Sequence, residues 1–145
     1  MENTKVLLVE DNQEDAVLTL RALKRHNVEN KVYVVRDGEE ALDFLFCNNK
    51  FAKRDPQDLP LLTLLDIELP QMNGLEVLRR IRADERTRHL PIVLLTSSSE
   101  EQYQAEGYQS GANFYLRKPI DCTQFMEEIR QLSHYWLELN AAPPR

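Results

Sequence analysis

Cysteine is nearly absent from this 145-residue chain: Cys47 and Cys122 are the two thiols, and their separation fits neither a disulfide framework nor a zinc site. Long hydrophobic runs are missing too. The longest apolar stretches are strand-sized, as in Leu61-Leu62-Thr63-Leu64-Leu65, far short of the roughly 20 residues that span a bilayer. An excess of positive charge is also lacking, since 18 Lys+Arg face 24 Asp+Glu for a formal charge of −6. That balance excludes a dedicated binder of nucleic acid or of an anionic membrane, both of which need a basic footprint. The start, Met1-Glu2-Asn3-Thr4-Lys5, has no signal-peptide pattern, so a cytoplasmic location with reduced thiols is expected. What remains is ordinary soluble material, 42% hydrophobic and 29% charged. Its length suits one domain over residues 1–145, with a core from about 4 to 139 and a short tail at 140–145.

Short runs rich in Val, Ile and Leu alternate with longer segments of helical periodicity, the pattern of an α/β fold. Strands are expected at Lys5 to Val9, Lys31 to Val35, Leu61 to Leu65, Pro91 to Leu95 and Asn113 to Leu116. The first, third and fourth are almost wholly apolar, as strands buried on both faces of a parallel sheet are. Helices are expected at Glu14 to His26, Gly38 to Phe46, Gly74 to Ala83, around Ser99 to Gly107, and from Asp121 to about Leu139. Asn48 to Pro60 is a polar connection that should protrude from the sheet. The arginines at 79, 80, 82, 86 and 88 are interspersed with Asp84 and Glu85 and read as a solvated face.

Ligands of such a sheet bind beyond the carboxyl ends of its strands. There the sequence places Glu10 and Asp11 after the first strand, Asp66 after the third, Thr96 after the fourth and Lys118 after the fifth. Clustered carboxylates are best accounted for by a hard cation held through oxygen, and a site with few protein ligands suits Mg²⁺. A cation there would neutralise charge on a transferring phosphoryl group, with Lys118 and Thr96 contacting its oxygens. A carboxylate attacking phosphorus would form an acyl phosphate. A flavodoxin-like cofactor binder would need a phosphate-cradling loop after the first strand, where this chain has Glu10-Asp11-Asn12-Gln13-Glu14-Asp15.

Taken together, these residues resemble the receiver domain of two-component response regulators over about residues 4 to 139. The segment Asp66-Ile67-Glu68-Leu69-Pro70-Gln71-Met72-Asn73-Gly74 is similar to the family's phosphoacceptor loop, and Thr96 and Lys118-Pro119 lie 30 and 52 residues beyond Asp66. The resemblance implies a flavodoxin-like doubly wound parallel sheet of five strands in order 2-1-3-4-5 with five helices. It implies Asp66 as phosphoacceptor, Asp11 as a direct Mg²⁺ ligand, Glu10 acting through water and the Glu68 backbone carbonyl completing the protein ligands. Lys118 would pair with phosphoryl oxygens, Thr96 would act as hydroxyl donor and switch, and Lys118-Pro119 would carry a cis peptide. Tyr115 matches the aromatic switch of the family, or is simply a half-buried strand aromatic.

A narrower resemblance, carried by Ala41 to Phe46, the long connection to Pro60, Leu95 to Ser98 and Tyr135-Trp136-Leu137, is to stand-alone receivers of the phytochrome-associated type. It implies a single-domain phosphoacceptor rather than an enzyme, partnered with a sensor histidine kinase, phytochrome-like or of another kind, and a downstream phosphotransfer or target protein. A homodimer through the last helix is expected, where Tyr135 and Trp136 overhang the core.

Overall fold

A computed structural model describes residues 6–24, 32–96, 109, 111–117 and 127. Five strands form one sheet: β1 (Val6–Val9), β2 (Val32–Val35), β3 (Leu62–Asp66), β4 (Ile92–Thr96) and β5 (Phe114–Arg117). Their order is β2-β1-β3-β4-β5 and every pairing is parallel, as the resemblance to receiver domains implies. Every residue of β1, β3 and β4 is buried, because helices cover both faces of a sheet wound this way.

Three helices fall within the described residues: α1 (Gln13–Lys24), α2 (Gly38–Phe46) and α3 (Gly74–Ala83). The expected fourth helix, the fifth apart from the helical Glu127, Lys118-Pro119 with its cis peptide, and the overhang at Tyr135-Trp136 lie outside the described residues. Among the described residues, no helix is long and apolar enough to cross a membrane.

Each helix starts where a short polar side chain caps its orphan N–H groups. Asn12 Oδ1 accepts from Asp15 N at 3.0 Å, Asp37 Oδ1 from Glu40 N at 2.7 Å and Asn73 Oδ1 from Leu75 N at 2.6 Å. The two-residue alternation of the strands then splits the core. On one face Leu7, Val9, Leu65, Ile92 and Leu94 pack under α2 and α3, with Leu75, Leu78 and Ile81 of α3 fully inside. On the other, Leu8, Leu64, Val93, Leu95 and Leu116 pack with Ala16 and Leu23 of α1.

Two readings of the sequence change. The connection after α2 does not simply protrude: it contains a 3-10 turn, Asn49–Phe51, that drives Phe51 into the core. The Phe51 ring meets Tyr33 and Phe44 edge-on, with centroids 5.7 and 5.1 Å away. Arg54 closes the segment by lying 3.8 Å from the Phe44 ring centroid and donating to the Phe44 and Asp58 carbonyls. A polar composition concealed one aromatic anchor and one buried arginine that donates to nearby carbonyls.

The basic run also divides. Arg79 and Arg80 pair with Glu76, and Arg86 pairs with Asp84, on the surface. Arg82 instead donates to the carbonyls of Gly111, Arg88 and Leu90 and to Asn113 Oδ1, at 2.6 to 3.0 Å. Burial holds its pKa below the ordinary guanidinium value. It ties the end of α3 to the entry of β5, where Gly111 has φ +104° and a Cβ would meet the Arg82 side chain at 2.9 Å.

Candidate functional site

Parallel register gathers the polar residues at one sheet edge. Val9 stands opposite Leu65, so the next residue on each chain, Glu10 and Asp66, come side by side. Both carboxylates are almost wholly buried, at 2% exposure. Ionised groups at that depth need partners, and the backbone supplies some. Asn12 N–H donates to Glu10 Oε2 at 3.2 Å and Glu68 N–H donates to Asp66 Oδ1 at 3.0 Å. Asn12 thus serves twice, as the cap of α1 and as the clamp on Glu10, a role its place in the acidic run did not reveal.

The loop from Asp66 to α3 is tightly folded. Ile67 N–H continues the ladder to Leu95 O, Gln71 takes a left-handed conformation with φ 66°, and Gly74 N–H returns to Ile67 O at 2.9 Å. This return brings the first turn of α3 against the backbone of Asp66. A Cβ on Gly74 would lie 2.1 Å from Asp66 O, so only glycine permits this approach.

Thr96 closes β4, fully buried, and its Oγ1 donates to Glu68 Oε1 at 2.7 Å. Tyr115 stands opposite Leu94 on β5, half-buried against the core that α2 and α3 cover. It therefore shares a sheet face with Thr96, two residues along from Leu94. Asp11 is exposed and lines an open depression at the start of α1 with Asn12, Gln13, Glu14, Val17 and Leu18. Lys118 lies outside the described residues.

Among the described residues, no three His, Cys, Asp or Glu side chains form a ready-made metal cluster. Glu10, Asp11 and Asp66 share an edge without being a preassembled ligand set. Their donor chemistry nonetheless fits a hard divalent cation. All the donors are oxygen, two belong to buried carboxylates on adjacent strands, and Mg²⁺ binds through one or two carboxylates while keeping several waters.

Comparison with known proteins agrees with this architecture. The family described as "Response regulator receiver domain" matches residues 6–130. The "Probable methanogenesis regulatory protein FilR2" of Methanothrix harundinacea is 36% identical over 95% of this chain and 86% of its own length. "Response regulator Rcp1" of Synechocystis is 31% identical over 95% of this chain and 92% of its own. A Mn²⁺-bound form of Rcp1 superposes with a TM-score of 0.75 at 30% identity, covering 93% of this chain and 95% of that one. The "Bacteriophytochrome response regulator RtBRR" superposes with a TM-score of 0.81 at 44% identity, covering 91% of this chain and 78% of that one. The narrower resemblance to phytochrome-associated response regulators therefore stands.

Proposed function

This chain belongs to the response regulator receiver domain family, and from that membership we propose that Asp66 is the phosphoacceptor of a two-component relay in the cytoplasm. The observation that carries this reading is the setting of Asp66, a buried carboxylate oriented by Glu68 N–H beside a second buried carboxylate, Glu10. In the reaction, a carboxylate oxygen of Asp66 attacks the phosphorus of a phosphohistidine on a sensor kinase. A phosphorus–oxygen bond forms, the phosphorus–nitrogen bond breaks, and the imidazole leaves with the electron pair and takes up a proton. The protein is thus a reactant consumed and regenerated, not an enzyme acting on a separate substrate.

Glu10, Asp11, Asp66 and the Glu68 carbonyl are the residues we assign to hold Mg²⁺, which when bound neutralises charge on the transferring group. Glu68 N–H keeps the Asp66 carboxylate in one orientation, and Lys118 and Thr96 are assigned to the phosphoryl oxygens. Tyr115, on the Thr96 face, is assigned to follow Thr96 when it moves and so alter the surface read by a downstream phosphotransfer or target protein. The donor has to approach this edge, and the apolar side chains of α1 beside it, Val17 and Leu18, are 42% and 46% exposed. We assign that surface to the histidine kinase, phytochrome-like by analogy with the similar regulators.

The direct test is incubation with acetyl phosphate and Mg²⁺ followed by mass measurement. A gain of about 80 Da, one phosphoryl group, is the expected result, and an unchanged mass would refute the reading. Magnesium should also stabilise the fold by mass action, by about 2.7 kcal/mol at a hundred times its dissociation constant. Asp11→Asn should abolish that gain while leaving the metal-free protein no less stable, because the exposed Asp11 adds only repulsion, about 1 kcal/mol between charges some 4 Å apart in water. Thermal melts with and without Mg²⁺ decide this.

We also infer a homodimer formed through the last helix, on the sequence grounds given above. Sedimentation at micromolar concentration should show it, with deletion of Tyr135 to Arg145 returning the monomer. A monomer throughout would dismiss it.

A further inference from the structure

Glu68 lies two residues beyond Asp66 and touches both halves of the site. Its N–H donates to Asp66 Oδ1 at 3.0 Å, and its carboxylate accepts the Thr96 hydroxyl at 2.7 Å. These partners belong to opposite faces of the sheet. Strand alternation places Asp66 with Leu62 and Leu64 on the α1 side, and Thr96 with Ile92 and Leu94 on the side of α2 and α3.

A threonine hydroxyl has one proton to donate. Thr96 has no exposed surface, so bulk water cannot take over as acceptor while the side chain stays in this arrangement. A phosphoryl group on Asp66 would bring three strong acceptor oxygens beside the same loop. That group and the Glu68 carboxylate would then compete for one hydrogen. Glu68 itself is exposed, so water reaches its carboxylate, and the contact with Thr96 can be exchanged.

We propose that Glu68 is a positioning residue acting through Thr96. It holds the Thr96 hydroxyl in the phosphate-free arrangement and sets how strongly a phosphoryl group must pull before Thr96 moves. This rests on Asp66 being the phosphoacceptor. It assigns to the Glu68 side chain a role distinct from that of its backbone carbonyl.

The test is calorimetric titration of the full chain with beryllofluoride, a tetrahedral mimic of a carboxylate-bound phosphoryl group, in excess Mg²⁺. Glu68→Ala should bind about tenfold more tightly than wild type, equivalent to about 1.4 kcal/mol. In a Thr96→Val background, which keeps the β-branched shape in the core, the same substitution should gain about twofold or less, since no hydroxyl remains to be contested. In a Thr96→Ser background the hydroxyl returns, and so should the tenfold gain.

Equal gains in the Val and Ser backgrounds would overturn the proposal in favour of plain charge repulsion by Glu68. No gain in any background would overturn it as well. If wild type and Asp66→Asn bound beryllofluoride alike, the phosphoacceptor reading itself would fall, and that result needs no Glu68 variant.

Discussion

Asp66→Asn is expected to lose phosphorylation completely while keeping its fold. Asparagine has nearly the shape of aspartate, and its carbonyl oxygen can still accept the Glu68 N–H that now donates to Asp66 Oδ1 at 3.0 Å. What it lacks is the anionic oxygen that attacks phosphorus. The substitution also removes one of two buried carboxylates that sit side by side, Glu10 and Asp66, each 2% exposed. Its melting temperature without metal should therefore equal or exceed that of wild type, because like charges held close in a protein repel more strongly than in water. Mass measurement after acetyl phosphate, together with a melting curve, separates lost chemistry from lost structure. Full labelling of the variant would move the acceptor to another carboxylate, and Asp11 and Glu68 would be the next to replace.

The second large effect is expected at Gly74, where local and tertiary reasoning predict opposite signs. Gly74 opens α3, and replacing a helical glycine by alanine usually stabilises by about 0.5–1 kcal/mol. Here the new Cβ would sit 2.1 Å from Asp66 O, 2.8 Å from Ile67 Cα and 2.9 Å from Asp66 C. All three are backbone atoms of Asp66 and Ile67, so no flexible side chain can yield. Either the start of α3 or the end of β3 has to move. Overpacking of this kind typically costs 1–3 kcal/mol, and an obstruction made wholly of backbone belongs at about 3 kcal/mol or above. At this chain length that is a fall of about 10 °C in Tm. Because the displaced atoms carry Asp66, the phosphorylation rate should drop as well, by about a hundredfold for a shift near 1 Å. A Gly74→Ala protein that melts at or above the wild-type temperature would show that α3 does not lean on the backbone of Asp66 and Ile67.

The same contrast between local and tertiary information runs through the molecule. Helices α2 and α3 have the limits their periodicity predicts, because an apolar stripe over a buried sheet and a short polar cap both act within a few residues of chain. Likewise β1, β3 and β4 are legible as buried strands, since no other element so short carries so continuous an apolar run. The acidic edge was readable because a parallel sheet sends every strand's carboxyl end to the same side, bringing Glu10, Asp11, Asp66 and Thr96 together whatever the loops do. Phe51 was not readable, being one aromatic in a polar stretch. Its burial against Tyr33 and Phe44 depends on where β2 and α2 come to rest.

By itself, then, the sequence determined the α/β order, the strands that lie inside, and the residue types that meet at the carboxyl edge of the sheet, because these follow from patterns of period two and 3.6 and from the polarity of a parallel sheet. Only the tertiary structure decided which atoms touch. Arg82 stands in a run that reads as solvated, yet it binds the loop before β5 across 29 residues of chain. Glu68 and Thr96 share a hydrogen across 28, and Gly74 is obligatory because of a backbone eight residues before it. Such contacts depend on the register between strands and on the path of a loop, to within about an ångström. No local pattern encodes distances of that kind, because each is set by the packing of the whole domain.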